Sequence, residues 1–144
     1  MTEKKIVVVD DDDCIRKTFF MILHGKYRVY LAKDPREALN KYQKADIDLI
    51  IADLKLPYIN GVEMIALFRE SGYQGAVILI SAFPDLVSAE ELSRLSIARF
   101  FVKPLDLNAL NHSIEHLLNG KSRSVKDLKG RASCRMVFPC WPKK

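Results

Sequence analysis

Four consecutive aspartates, Asp10 to Asp13, stand directly behind the apolar run Ile6-Val7-Val8-Val9. Carboxylates at contact distance repel one another and raise each other's pKa, so a buried strand ending in such a cluster calls for a neutralising cation. The run is therefore either a hard-cation site or the solvated start of a helix, where the helix dipole favours acids. Three other apolar runs also end in reactive residue types: Asp53 follows Ile47–Ala52, Ser81 follows Ala76–Ile80, and Lys103 follows Ala98–Val102. Carboxylates, a hydroxyl and an ammonium form a set suited to phosphoryl transfer. Carboxylates with waters suit Mg²⁺. The metal and a lysine neutralise the transferring group, and an aspartate can serve as a nucleophile that forms an aspartyl phosphate. The chain has no glycine-rich phosphate cradle, so the phosphoryl group is expected on the protein and not on a bound nucleotide.

The elements that must position these residues are legible from apolar periodicity. Short β-branched runs at Ile6–Val9, Tyr27–Ala32, Ile47–Ala52, Ala76–Ile80 and Ala98–Val102 read as strands buried on both faces. Between them, Ile15, Phe19, Ile22 and Leu23, and later Leu107, Leu110, Ile114, Leu117 and Leu118, follow helical spacing. Asp13 is the expected N-cap of the first helix, with Asp12 peripheral to any metal, and Asp34-Pro35 opens the second helix. Gly25, Gly72 and Gly120 each follow a helix, where a left-handed residue is wanted. Pro84-Asp85 opens the segment before the fifth strand. The result is an α/β, doubly wound (βα)5 flavodoxin-like fold with a five-stranded parallel sheet. Ligands of such sheets bind at the carboxyl ends of the strands, and Asp10, Asp11, Asp53, Ser81 and Lys103 all fall there.

Composition sets the outer limits. The 144 residues are 49% hydrophobic and 28% charged, as in an ordinary globular domain. No apolar run approaches the roughly 20 residues that span a bilayer, and the first residues lack the pattern of a signal peptide, so a cytoplasmic protein is expected. Three cysteines without CxxC spacing make neither a disulfide framework nor a zinc site. His112 and His116 are expected on the solvent side of the last helix, not as a metal pair. The charge divides unevenly. Residues 1–119 hold 15 Lys/Arg against 17 Asp/Glu, whereas residues 120–144 hold 8 Lys/Arg and one Asp. The expected organisation is a domain over 1–120 and a basic, disordered extension over 121–144.

Asp10-Asp11 after strand one, Asp53 to Gly61 (DLKLPYING) after strand three, Ser81-Ala82 after strand four and Lys103-Pro104 after strand five resemble the receiver domain of bacterial response regulators, over about residues 4–119. The resemblance implies that Asp53 is a phosphoacceptor supplied by a sensor histidine kinase or a histidine phosphotransfer protein. It implies that Asp10, Asp11, Asp53 and the Lys55 carbonyl hold Mg²⁺, and that Ser81 and Phe100 act as the switch. Lys103 pairs with the acyl phosphate, through a cis Lys103-Pro104 peptide. Gly61 allows a tight approach into the third helix, and Lys55 and Phe83 shield the acyl phosphate from water. Such a chain is a self-phosphorylating phosphoacceptor with autodephosphorylation, not an ordinary enzyme. Its responding surface is expected on helix four, strand five and helix five. Two other readings remain open: a DNA-binding regulator acting through the basic extension, and an aspartyl phosphatase using Asp10-x-Asp12 as nucleophile and acid.

Overall fold

Valine, isoleucine and leucine runs form strands here because both faces of each strand can be covered at once. The computed structural model describes residues 3–119; Gly120 and the basic extension over 121–144 lie outside the described residues. The chain runs β1 (Lys5–Val9), α1 (Asp13–Leu23), β2 (Arg28–Ala32), α2 (Pro35–Tyr42), β3 (Leu49–Asp53), α3 (Gly61–Glu70), β4 (Ala76–Ser81), a 3₁₀ turn (Pro84–Leu86), α4 (Ala89–Arg94), β5 (Arg99–Val102) and α5 (Leu107–Asn119). The five strands are parallel, in the order β2-β1-β3-β4-β5. This is the doubly wound, flavodoxin-like arrangement, and the strand order reverses between β1 and β3.

Alternate residues of each strand serve opposite layers of the core. Val7, Val9, Ile50, Ala52, Val77, Leu79 and Phe100 meet Ala38 of α2, Met64, Ile65 and Phe68 of α3, and Leu95 behind α4. Ile6, Val8, Leu49, Ile51, Ile78, Ile80 and Phe101 meet Phe19 and Leu23 of α1 and Leu110, Ile114 and Leu118 of α5. The two-residue strand period and 3.6-residue helix period fix these faces together. Ile22 and Leu107, expected in the apolar stripes, are 38% and 41% exposed and lie at the stripe edges.

Several local expectations are corrected. The N-cap of α1 is Asp12, not Asp13: its side chain accepts from the amides of Cys14 and Ile15. Asp13 instead occupies the first turn, paired with Arg16 and Lys17. Gly72, the residue after the C-cap of α3, is left-handed (φ 103°), whereas Gly25, at the same place after α1, is not. Before β5, Pro84 begins only the 3₁₀ turn, and Ser88 caps α4 with a reciprocal box to Glu91. The Ser88-x-x-Glu91 spacing was the available signal. His112 is exposed but His116 is half-buried, not on the solvent side; burial, Arg99 and His112 hold its imidazolium pKa down. Asp34 and Pro35 cap α2 as expected. Among the described residues no helix is long and apolar enough to cross a membrane.

Gly61 joins the fold to the loop behind β3. Its amide donates to the Leu54 carbonyl at 2.7 Å. A Cβ at this position would stand 2.6 Å from the Asp53 carbonyl oxygen and 3.1 Å from Leu54 Cα. Both obstacles are backbone, so no rotamer change relieves the clash. Gly61→Ala is expected to cost about 1–3 kcal/mol, read as a lower urea midpoint at unchanged m-value; a midpoint equal to that of the wild type would contradict this packing.

Candidate functional site

The carboxyl ends of β1, β3, β4 and β5 bring the chemistry-bearing residues together. Asp10 directly follows β1, Asp53 ends β3, Ser81 ends β4 and Lys103 directly follows β5. Asp10, Asp53 and Ser81 are buried at 2%, 7% and 1% exposure, while Asp11 is exposed. One carboxylate oxygen from each of Asp10, Asp11 and Asp53 lies within 4.8 Å of the others. The Lys103 ammonium stands 3.3 Å from Asp53 Oδ2 and 4.0 Å from Asp10 Oδ2. The Lys103-Pro104 peptide is cis, as the resemblance implied.

Three carboxylates thus face one ammonium, and two of them are removed from water. Burial raises the Asp10 carboxyl from its ordinary 3.8 to about 6; the Asp12 amide bond and Lys103 oppose this, and the charges of Asp53 and Asp11 reinforce it. Burial also raises Asp53, with the Lys103 charge and hydrogen bond as the largest opposing influences. Desolvated like charges of this kind favour either a proton or a cation. Hard oxygen donors at this spacing fit a divalent ion such as Mg²⁺. The residues therefore fit the metal that the resemblance implied.

Hydrogen bonds hold the donors in place. Asp10 Oδ1 accepts from the Asp12 amide at 2.9 Å, and the Asp10 carbonyl accepts from Arg16 Nη1 at 2.7 Å. Arg16 was not anticipated; its position in the first turn of an acidic helix start was the only signal in the sequence. Ser81 Oγ accepts from the Phe83 amide at 2.8 Å. Leu54 N donates to the Ile80 carbonyl at 2.7 Å, tying the Asp53 loop to β4. Lys55 Nζ lies 5.4 Å from the centre of the Phe83 ring, so these two residues, which come from different loops, meet beside the site. Phe100 is buried, facing the core layer of α3 and α4. Asp12 is occupied in capping α1, which removes it as the second acid of an Asp-x-Asp phosphatase pair.

The sign of the pH dependence follows from the raised Asp10 pKa. Between about pH 4 and pH 6 the folded chain holds a proton here that the unfolded chain has released, so stability falls as pH rises through that window. Asp10→Asn removes this loss. In Mg²⁺-free buffer, its urea-derived stability relative to the wild type is expected to grow by about 2–3 kcal/mol from pH 4 to pH 7. Mg²⁺ should then narrow the gap by stabilising only the wild type. A pH-independent difference would show that the Asp10 carboxylate is not strained by its burial.

Comparisons with known proteins agree with this geometry. The family model described as "Response regulator receiver domain" matches residues 6–115. The chain is 27% identical to sporulation initiation phosphotransferase F of Bacillus subtilis (strain 168), over 85% of this chain and 99% of that protein. It is also 27% identical to the regulatory protein AtoC of Escherichia coli (strain K12), over 82% of this chain but only 26% of AtoC's length. Among solved structures, the response regulator protein TrrA of Thermotoga maritima, in complex with Mg(2+)-BeF, superposes with TM-score 0.70 at 28% identity, covering 79% of this chain and 98% of that one.

Proposed function

Because the chain belongs to the response regulator receiver family, and is a receiver domain of two-component signalling, we propose that Asp53 is its phosphoacceptor. The observation that carries this reading is the setting of Asp53: a buried carboxylate at the end of β3, 3.3 Å from Lys103 and within 4.8 Å of two further carboxylates. An Asp53 oxygen attacks the phosphorus of a phosphohistidine. The new P–O bond forms as the P–N bond breaks, and the imidazole leaves. Asp10, Asp11, Asp53 and the Lys55 carbonyl would hold Mg²⁺, which when bound neutralises charge on the phosphoryl oxygens. Lys103, already beside Asp53, pairs with the acyl phosphate. The Ser81 hydroxyl turns from the Phe83 amide to donate to a phosphoryl oxygen, and Phe100, behind it in the core, repacks as the second part of the switch.

Receiver domains take phosphoryl groups from histidine kinases or phosphotransfer proteins; a partner of that class, in the cytoplasm, is our reading for this chain. Residues 1–120 are taken as the domain that does this. The chain spans about a quarter of AtoC, so activities that belong to AtoC as a whole are not carried over. The alternative of DNA binding through residues 121–144 rests on a segment outside the described residues and has no support among those described.

Two outcomes test the proposal. With Mg²⁺ and acetyl phosphate, the wild type should gain the mass of one phosphoryl group and Asp53→Asn should not; labelling that survives in Asp53→Asn but is lost in Asp10→Asn would move the chemistry to β1. The lifetime of the phosphoprotein tests the Lys55–Phe83 contact. Lys55→Ala and Phe83→Ala should each shorten it about fivefold, equivalent to about 1 kcal/mol of barrier to water attack. Unchanged lifetimes would remove these two residues from the account.

A further inference from the structure

We propose that Arg36 is a positioning residue for the metal-binding loop, acting through a stack on Tyr58. The inference rests on the reading that the Lys55 carbonyl is a metal ligand.

The loop from Asp53 to Gly61 is fixed at its base. Leu54 N bonds the Ile80 carbonyl and Gly61 N bonds the Leu54 carbonyl, both at 2.7 Å. Its tip is strained. Tyr58 has φ 73°, and the Ile59 amide donates to the Pro57 carbonyl at 2.9 Å, across a single intervening residue. These two features define a γ-turn of the left-handed kind, a rare conformation that is costly for a residue with a bulky side chain. Backbone of this kind persists only where its surroundings over-determine it.

Burial does not hold the Tyr58 ring, which is 65% exposed. What meets the ring is Arg36, whose guanidinium carbon lies 3.8 Å from its centroid. Arg36 is itself on a firm base. It is the second residue of α2, behind the Asp34 cap, whose carboxylate accepts from the Glu37 amide at 2.8 Å. Pro35 and Ala38 on either side of it are buried. Leu56 and Ile59 pack against the same core layer as Ala38. The stack therefore ties the loop tip to a helix that is anchored independently. Released from it, Tyr58 relaxes toward negative φ, and the peptides between the fixed base and the moving tip rotate. The Lys55 carbonyl is one of them.

Both residues are exposed, so substitutions there leave the core intact. Electrostatics gives the test a sign. Removing a positive charge does not by itself weaken binding of a cation, whereas loss of positioning does. The experiment is an amide NMR titration with Mg²⁺ alone on the full chain. Arg36→Ala is expected to weaken Mg²⁺ about two- to fivefold, and to shift the Tyr58 and Ile59 amides before any metal is added. Tyr58→Phe, which keeps the ring, should match the wild type. In a Tyr58→Gly background, where φ > 0 is unstrained, adding Arg36→Ala should not weaken Mg²⁺ further. Unchanged or tighter Mg²⁺ binding in Arg36→Ala overturns the inference, as does an equal loss in the glycine background. A wild type whose Lys55 and Leu56 amides do not respond to Mg²⁺ overturns the Lys55 ligand reading itself, and the inference with it.

Discussion

Everything at the working end of this domain depends on the burial of negative charge. Asp10 and Asp53 sit at the ends of the adjacent strands β1 and β3, almost out of contact with water, with Asp11 beside them. Lys103 supplies one positive charge against the three carboxylates. Burial raises the carboxyl pKa of both Asp10 and Asp53, Lys103 offsets this only in part, and the cluster is left short of a cation. An under-neutralised acidic cleft of this kind favours a bound cation or a proton.

The sheet makes this tolerable. Residues alternate strictly between two core layers along β1, β3 and β4, so most of the stabilisation lies below the site and is independent of it. The loops beyond the strand ends are then free to carry strain. Asp12 closes α1, Gly61 brings α3 against the Asp53 backbone, and Tyr58 takes a left-handed φ beside them. Of the two left-handed non-glycine residues among those described, Tyr58 lies in the loop behind Asp53, while Ser96 lies between α4 and β5.

Much of this was legible without coordinates. The five strands were placed within a residue or two, because runs such as Leu49–Ala52 and Val77–Ile80 are apolar at every position and fit only strands covered on both sides. The residues at the strand ends followed at once, since topology sends such positions to one rim. Capping was harder to read. In a run of four aspartates each can serve as a cap, and the choice of Asp12 over Asp13 turns on where the strand lets the chain bend. The six-residue α4 was too short to show a period and betrayed itself only through Ser88 and Glu91.

Sequence alone determined the order of elements and the identity of the carboxylates, hydroxyl and ammonium that end them, because apolar period and residue type are local properties of the chain. The tertiary structure decided which charges are desolvated, that Asp11 stays in water while Asp10 does not, and that Lys103 stands nearer to Asp53 than to Asp10. It also brought Lys55 to Phe83 and Arg36 to Tyr58. These are contacts between segments tens of residues apart or on separate loops, and their distances depend on how the sheet twists and the loops fold over it, which no period in the sequence encodes.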